Sequence, residues 1–317
     1  MIKTPVCTLI GIEYPIFQGG MAWISDARLA AAVSNGGGLG IISAMNAGAE
    51  YLRRQIRLAR ELTDRPFGVN IMLMSPFADA VARVAAEERA PVVTTGAGNP
   101  AKYMDAWNSA GITVIPLVAS VAHAKMVARA GAAAVIAEGA ESGGHIGELS
   151  TMALVPQVCD ATDVPVIAAG GIGDGRGVAA ALMLGAQGVQ LGTRFLVADE
   201  CSVHPNYKEK VLKATDVSTI TTGKRLGHPV RCLKTPFSRE LLKKEFDASF
   251  SDADLEEIGV GALRLAAVEG DSERGCFIAG QIAGLVSKKQ PAAVIIREIF
   301  EETETILRNV GVRVTEA

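Results

Sequence analysis

The sequence predicts a (β/α)8 TIM barrel with a mostly helical insertion after its eighth strand, and three observations carry that expectation. Short apolar runs recur at intervals of about 20 to 30 residues, the length of one strand, one loop and one helix. Each run ends in Gly, Ser, Asn or Thr. Stretches rich in Ala, Leu, Arg and Glu, suited to helices, separate them. Apolar runs of this kind are what parallel strands need when helices cover their outer faces. With 49% hydrophobic residues, 21% charged residues and 34 glycines among 317, the composition suits a large buried core and excludes a disordered chain or a coiled coil.

In chain order the expected strands and their ends are residues Pro15 to Met21, Leu39 to Ser43, Phe67 to Ile71, Val92 to Gly96, Thr113 to Val118, Ala134 to Gly139, Val166 to Gly171 and Val189 to Thr193. Eight such units close a barrel whose active site lies at the strand C-termini, so these polar and glycine ends converge on one mouth. From about Ala198 to Gln290 the rhythm fails, and charged, helix-prone pieces such as Tyr207 to Ala214 and Ser238 to Phe246 follow without a strand between them. The expected division is therefore a barrel of residues 1–197 and 291–317 with an insertion, 198–290, placed to cover the mouth. A final helix around Ala293 to Arg308 would complete the outer ring.

Charge and cysteine usage exclude several classes of partner. A net charge of −3 leaves no basic surplus for nucleic acid, and no polybasic stretch addresses a membrane surface. The charge-free stretch from Leu29 to Ala49 is interrupted by Ser34, Asn35 and several glycines that would leave backbone groups unsatisfied in lipid, so it is expected as buried α/β core. Met1 to Pro5 contains no apolar leader, and the five cysteines are odd in number and widely spaced, without a C-x-x-C pair or a His/Cys ligand cluster. A cytoplasmic, reduced protein without a metal site is the expectation.

Several strand ends carry candidate chemistry. Ala169-Gly170-Gly171-Ile172 and Gly192-Thr193-Arg194 follow the last two barrel strands, where backbone N–H groups and a short helix commonly hold a phosphate. Glycines that merely make tight turns would look the same singly; a pair at both expected strands favours phosphate. Glu138-Gly139-Ala140-Glu141-Ser142-Gly143-Gly144-His145 holds the one histidine of four that sits in a glycine-rich loop at the expected mouth, making His145 the candidate acid or electrophile. Structural or capping roles suit His123 and His204 better, and His228 in the insertion stays open. Gln18-Gly19-Gly20-Met21-Ala22 and Gly68-Val69-Asn70 offer amides, a soft Met and one carboxamide, an inventory suited to a flat, uncharged, hydrogen-bonding ring. Neither Gly171-Ile172-Gly173-Asp174-Gly175-Arg176 nor the Gly36 to Gly40 run satisfies G-x-G-x-x-G, which argues against a dinucleotide fold.

Taken together, Gln18 to Met21, Gly68 to Asn70, Ala137 to Gly139 with Gly143 to His145, Ala169 to Gly171 and Gly192 to Phe195 resemble the FMN-dependent nitronate monooxygenase/2-nitropropane dioxygenase superfamily. Within it, the residues Pro66 to Leu73, Thr94 to Pro100, Gly143 to Gly147, His204 to Lys210 and Ala279 to Leu285 are most similar to the enoyl-acyl-carrier-protein reductase II family, and the likeness spans nearly the whole chain. The resemblance implies FMN at the barrel mouth, reduction by NADH or NADPH, and hydride delivery to the β-carbon of a trans-2-enoyl thioester carried by acyl carrier protein. It places His145 beside the flavin as proton donor or as polariser of the thioester carbonyl. Gly170, Gly171, Gly192 and Thr193 would hold the phosphate. Gly20, Met21, Ala22, Asn70 and Glu138 would surround the ring, with Asn46, Thr95 and Gln281 as further candidates. A nitronate monooxygenase is the principal alternative. A flavin-free barrel lyase or isomerase is a remoter one, since no lysine ends an expected strand; a non-catalytic carrier is another. Fold-level analogy suggests a homodimer.

Overall fold

The computed structural model describes residues 2–44 and 48–310. Eight parallel strands close into a barrel with helices between them, as the apolar runs predict. Strands β1 (Ile16–Gln18), β2 (Leu39–Ser43), β3 (Phe67–Met72), β4 (Val92–Gly96), β5 (Thr113–Val118) and β6 (Val135–Glu138) pair in succession. A two-residue strand, β7 (Gly144–His145), lies outside the barrel, which continues through β8 (Val166–Ala169) and β9 (Gly188–Leu191). Pairing of Phe17 with Gln190 closes the ring.

The barrel interior is filled by Phe17, Leu39, Ile41, Ile115, Ile136 and Ile167, and the short helix α1 (Pro5–Ile10) adds Val6 and Ile10 to the same cluster. Each such side chain contributes roughly 1.5–3 kcal/mol by leaving water, so this end of the barrel is packed core. Successive strands are joined by α2 (Ala27–Asn35), α3 (Ala49–Leu62), α4 (Ala78–Glu87), α5 (Ala101–Ser109) and α6 (Val121–Arg129). Helix α7 (Thr151–Ala161) leads from β7 into β8, and α8 (Gly175–Met183) from β8 into β9. Asp26 starts α2 by accepting the Arg28 and Leu29 N–H groups, both at 3.0 Å, a capping arrangement that satisfies donors the helix cannot.

Between β9 and the last helix lie α9 (Pro205–Leu212), α10 (Pro236–Glu245), α11 (Asp252–Gly259) and α12 (Ala262–Arg264), and α13 (Ala292–Asn309) then packs against α8 and α2. The expectation that no strand interrupts this segment is corrected. Thr219–Thr222 and Val230–Leu233 form β10 and β11, an antiparallel pair, and β11 also pairs with β7 through Val230 with His145 and Arg231 with Gly144. Thr-Ile-Thr-Thr is a β-branched run. All but the buried Thr222 are only partly covered, and three of the four are threonines, so the run lacks the apolar signature by which the barrel strands announce themselves. The two ends of the segment meet where Ala198 bridges Gln290 and the Asp199 N–H donates to the Gln290 carbonyl at 3.0 Å. Among the described residues no helix is long and apolar enough to cross a membrane.

Candidate active site

A cavity of about 270 Å³ opens at the C-terminal ends of the barrel strands. Gly20, Met21 and Ala22 after β1, Asn70 in β3 and Glu138 at the end of β6 border it. So do His145 in β7, Gly170 and Gly171 after β8, and Gly192 and Thr193 after β9. The chain thus brings together most of the residues singled out from the sequence. Thr95 and Gln281 are exceptions that do not border the cavity. Thr95 is buried in β4 with its hydroxyl lacking a partner among the described residues, whereas Gln281 is exposed and uses its backbone N–H to reach the Glu141 carbonyl at 2.9 Å. Asn46 lies outside the described residues.

The wall beyond β8 and β9 is made of backbone. Gly170 has φ +85°, and a Cβ there would lie 2.7 Å from the Gly139 carbonyl, so both conformation and space demand glycine. Its carbonyl accepts from Thr151 Oγ1 at 2.9 Å, which ties the strand end to the start of α7. At Gly192 a Cβ would meet nothing nearer than Met21 Sδ at 3.7 Å; the missing side chain leaves the cavity wall open there. Thr193 begins a short 3-10 helix, Thr193–Val197, and its Oγ1 accepts the Gly280 N–H at 2.8 Å, joining the barrel to the insertion. This end can receive an anionic group through N–H donors without any cationic side chain.

Across the mouth the donors are side chains. Thr94 Oγ1 donates to Asn70 Oδ1 at 2.9 Å, which fixes the amide and leaves its NH2 for another partner. Burial pushes the Glu138 carboxyl up to about 7. Ser142 Oγ is itself buried at the cavity without a hydrogen-bond partner among the described residues.

His145 stands at the end of the loop that follows β6. That loop is pinned by hydrogen bonds from the Gly139 N–H to the Ala169 carbonyl at 3.0 Å and from the Ala140 N–H to the Leu149 carbonyl at 2.8 Å. Glu141 accepts the Thr151 N–H at 2.9 Å and its hydroxyl at 3.0 Å. The imidazole keeps an exposed face, yet partial burial, and secondarily the nearby His228, hold its pKa below the ordinary histidine value. His204 caps α9 by accepting the Asn206 N–H at 3.2 Å, and His123 lies in the first turn of α6, so both have the structural settings expected of them.

Gln190 and Ser142 border the cavity without having been singled out. For Gln190 the signal was present, a carboxamide alternating with Val189 and Leu191 in an otherwise apolar strand. From the insertion, Leu263, Ile278 and Ile282 reach the cavity. Elsewhere in the insertion Leu255 is buried away from the cavity, and Leu233 borders a separate groove with Lys210, Lys213, Lys234 and Arg239.

Comparison with known proteins adds an independent line. The family model described as nitronate monooxygenase matches residues 3–81 and 72–302. A (3aS,4S,5R,7aS)-5-hydroxy-7a-methyl-1-oxo-octahydro-1H-indene-4-carboxyl-CoA dehydrogenase of Mycobacterium tuberculosis is 35% identical, covering 97% of this chain and 98% of that protein. A protein named a probable nitronate monooxygenase from Staphylococcus saprophyticus is 32% identical over 97% of this chain and 99% of its own length. Among solved structures, FabK from Thermotoga maritima is 51% identical with a TM-score of 0.96 over 99% of this chain and 100% of that one. The nitroalkane oxidase of Streptomyces ansochromogenes is 29% identical with a TM-score of 0.86, covering 96% and 99% respectively.

Proposed function

The chain belongs to the nitronate monooxygenase family, a family of flavin-dependent oxidoreductases, and on that premise we propose that it is an FMN-dependent enoyl-acyl-carrier-protein reductase that saturates trans-2-enoyl thioesters with NADH or NADPH. The observation that carries this reading is the full-length likeness to FabK at 51% identity, insertion included, against 35% and 32% for the thioester dehydrogenase and nitronate monooxygenase relatives. FabK is the family name of the enoyl-acyl-carrier-protein reductase II that the sequence motifs resemble. The dehydrogenase relative's name specifies a carboxyl-CoA, which supports a thioester as the substrate class.

The cavity fits FMN. Its backbone wall at Gly170, Gly171, Gly192 and Thr193 suits a phosphate, while the Asn70 amide, the Glu138 carboxyl and the unpartnered Ser142 hydroxyl suit a ring edge with both donors and acceptors. Bound there, FMN would supply two-electron hydride chemistry between the nicotinamide and the β-carbon of the enoyl thioester. Gly20, Met21 and Ala22 would lie along the ring, with Gln190 beside them. His145 would donate a hydrogen bond or proton as negative charge builds on the thioester oxygen and α-carbon. The insertion, residues 198–290, would cover the mouth, and Leu263, Ile278 and Ile282 would give the acyl chain an apolar wall.

Anaerobic spectroscopy tests the reading. Flavin bleaching by NADH or NADPH followed by recovery on adding a crotonyl thioester is the expected result. Oxygen consumption with an alkyl nitronate and no nicotinamide, without enoyl turnover, would replace it by the monooxygenase reading that the family match and the staphylococcal relative favour.

A further inference from the structure

Strand pairing brings a second imidazole against His145. Val230 of β11 pairs with His145, and the Ile146 N–H donates to the Pro229 carbonyl at 3.0 Å, so the turn between β10 and β11 is fastened beside β7. That turn carries His228, whose ring centroid lies 6.2 Å from that of His145 with the planes 59° apart. On its far side His228 is gripped by α11, with Nε2 2.7 Å from Glu256 Oε1. The His228 N–H also reaches back to the Gly223 carbonyl at 3.3 Å, which completes the turn. Residues from β7, the β10–β11 turn and α11, far apart in sequence, thus form a row His145, His228, Glu256.

We propose that His228, held by Glu256, is a positioning residue for His145: the second ring beside it disfavours a positive charge on His145, so that His145 meets the thioester carbonyl as an uncharged hydrogen-bond donor. The thioester in that statement rests on the reductase reading; the coupling between the rings does not. A neutral imidazole can polarise a carbonyl without the cost of desolvating a cation, which suits a site that closes over an apolar chain. Partial burial acts in the same direction on His145, with His228 second to it.

The other charged groups around the row are engaged or displaced from the rings. Arg231 of β11 donates to the Ala140 carbonyl at 3.2 Å and to Thr219 Oγ1 at 3.4 Å. Arg225, in the same turn as His228, pairs with Asp252 at 2.9 Å and donates to the Phe250 carbonyl at 2.8 Å. Glu245 of α10 accepts the Gly223 N–H, Glu141 is bound to Thr151, and Glu138 faces the cavity from β6. At the separation of the two rings, Coulomb repulsion between two imidazolium ions corresponds to about 0.5 to 2 pH units between water-like and protein-like screening, before the opposing Glu256 carboxylate beside His228 is counted.

The test is an NMR titration of the histidine rings in the full-length 15N-labelled chain, with the His145 signal identified from His145→Gln. His228→Gln should raise the His145 midpoint by about 0.5 to 2 pH units. His228→Lys, which places a positive charge at that position and changes the shape, should leave that midpoint at or below the wild-type value. The side chain of His228 is 37% exposed, so neither substitution opens a core cavity. In the kinetic arm, the pH profile of flavin reoxidation by a crotonyl thioester should move in the same direction as the NMR midpoint. Equal His145 midpoints in wild type and His228→Gln, or the same rise in the Gln and Lys variants, would overturn the proposal. A raised midpoint in a chain that never turns over enoyl thioesters would uphold the coupling and remove the reductase reading instead.

Discussion

On the β8–β9 side the cavity wall is backbone, with Gly170, Gly171, Gly192 and Thr193 each following a barrel strand directly. On the β7 side it is a side chain, His145, held by pairing with Val230 more than eighty positions along the chain. The first wall is set by local sterics and by the packed barrel beneath it, and it has little freedom to adjust. The second depends on a three-stranded ribbon outside the barrel and on two other titratable groups, so its chemistry can be tuned without rebuilding the fold. On the proposed reading, one end of such a site would recognise a constant anionic group, and the other would handle protons that change during turnover.

The largest effect should come from removing the proton-handling side chain. His145→Ala should leave the wall of Gly170 and Gly192 untouched, and with it FMN binding and flavin reduction, while slowing reoxidation by an enoyl thioester by about 10²- to 10⁴-fold. Only that half-reaction builds negative charge on the thioester. Stopped-flow absorbance times the two halves separately, and an unchanged reoxidation rate would remove His145 from the mechanism.

The opposite wall is broken by a methyl group. Gly170→Ala forces a side chain into a left-handed conformation, which costs about 1–3 kcal/mol before the collision with the Gly139 carbonyl is counted. The variant should be less stable to urea and purify with depleted flavin. Full flavin content with unchanged stability would show that this turn is far more pliable than its geometry implies.

Glu138 sharpens the contrast through pH. Its carboxyl is raised from 4.5 to about 7, so between those values the folded chain holds a proton that the unfolded chain has released. Stability should therefore fall as pH rises through that window, by roughly 3–4 kcal/mol in total, and level off above it. Glu138→Gln should flatten this component of the urea-melt pH profile. A stability rising across the same interval because of Glu138 would contradict its burial.

The two walls also differ in how far the sequence reveals them. A phosphate cradle is written in consecutive residues, and glycine is conspicuous because few other residues fit a positive φ or a bare wall. The barrel strands are equally visible, since burial on both faces makes each an uninterrupted apolar run. His145 could be picked out as a histidine in a glycine-rich loop, yet nothing near it in sequence points to Val230, His228 or Glu256. Their association is created by a ribbon of partly exposed strands of two to four residues, in which the β7–β11 pairing is non-local. Thr95 and Gln281 failed for a related reason. Strand alternation turns Thr95 of β4 away from the mouth, and Gln281, at the start of a 3-10 helix, turns outward although Gly280 and Ile282 on either side of it border the cavity.

The smallest effect should come from a residue one step behind the cavity. Thr94 lies opposite Asn70 in the β3–β4 pairing and is almost fully buried, and its hydroxyl fixes the Asn70 amide by donating to Oδ1. Thr94→Val keeps the volume and removes the donor, so the amide loses its anchor and can present oxygen instead of nitrogen to the ring. Water can reach the partly exposed Asn70 and replace some of the lost bond, which holds the cost near that of one ordinary hydrogen bond, about 1 kcal/mol, or roughly fivefold in FMN affinity. Fluorescence titration of the apoprotein with FMN measures the change. Thr94→Ser restores the hydroxyl and should restore the affinity. Equal weakening in the Val and Ser variants would trace the loss to packing in β4 and free the Asn70 amide from any dependence on Thr94.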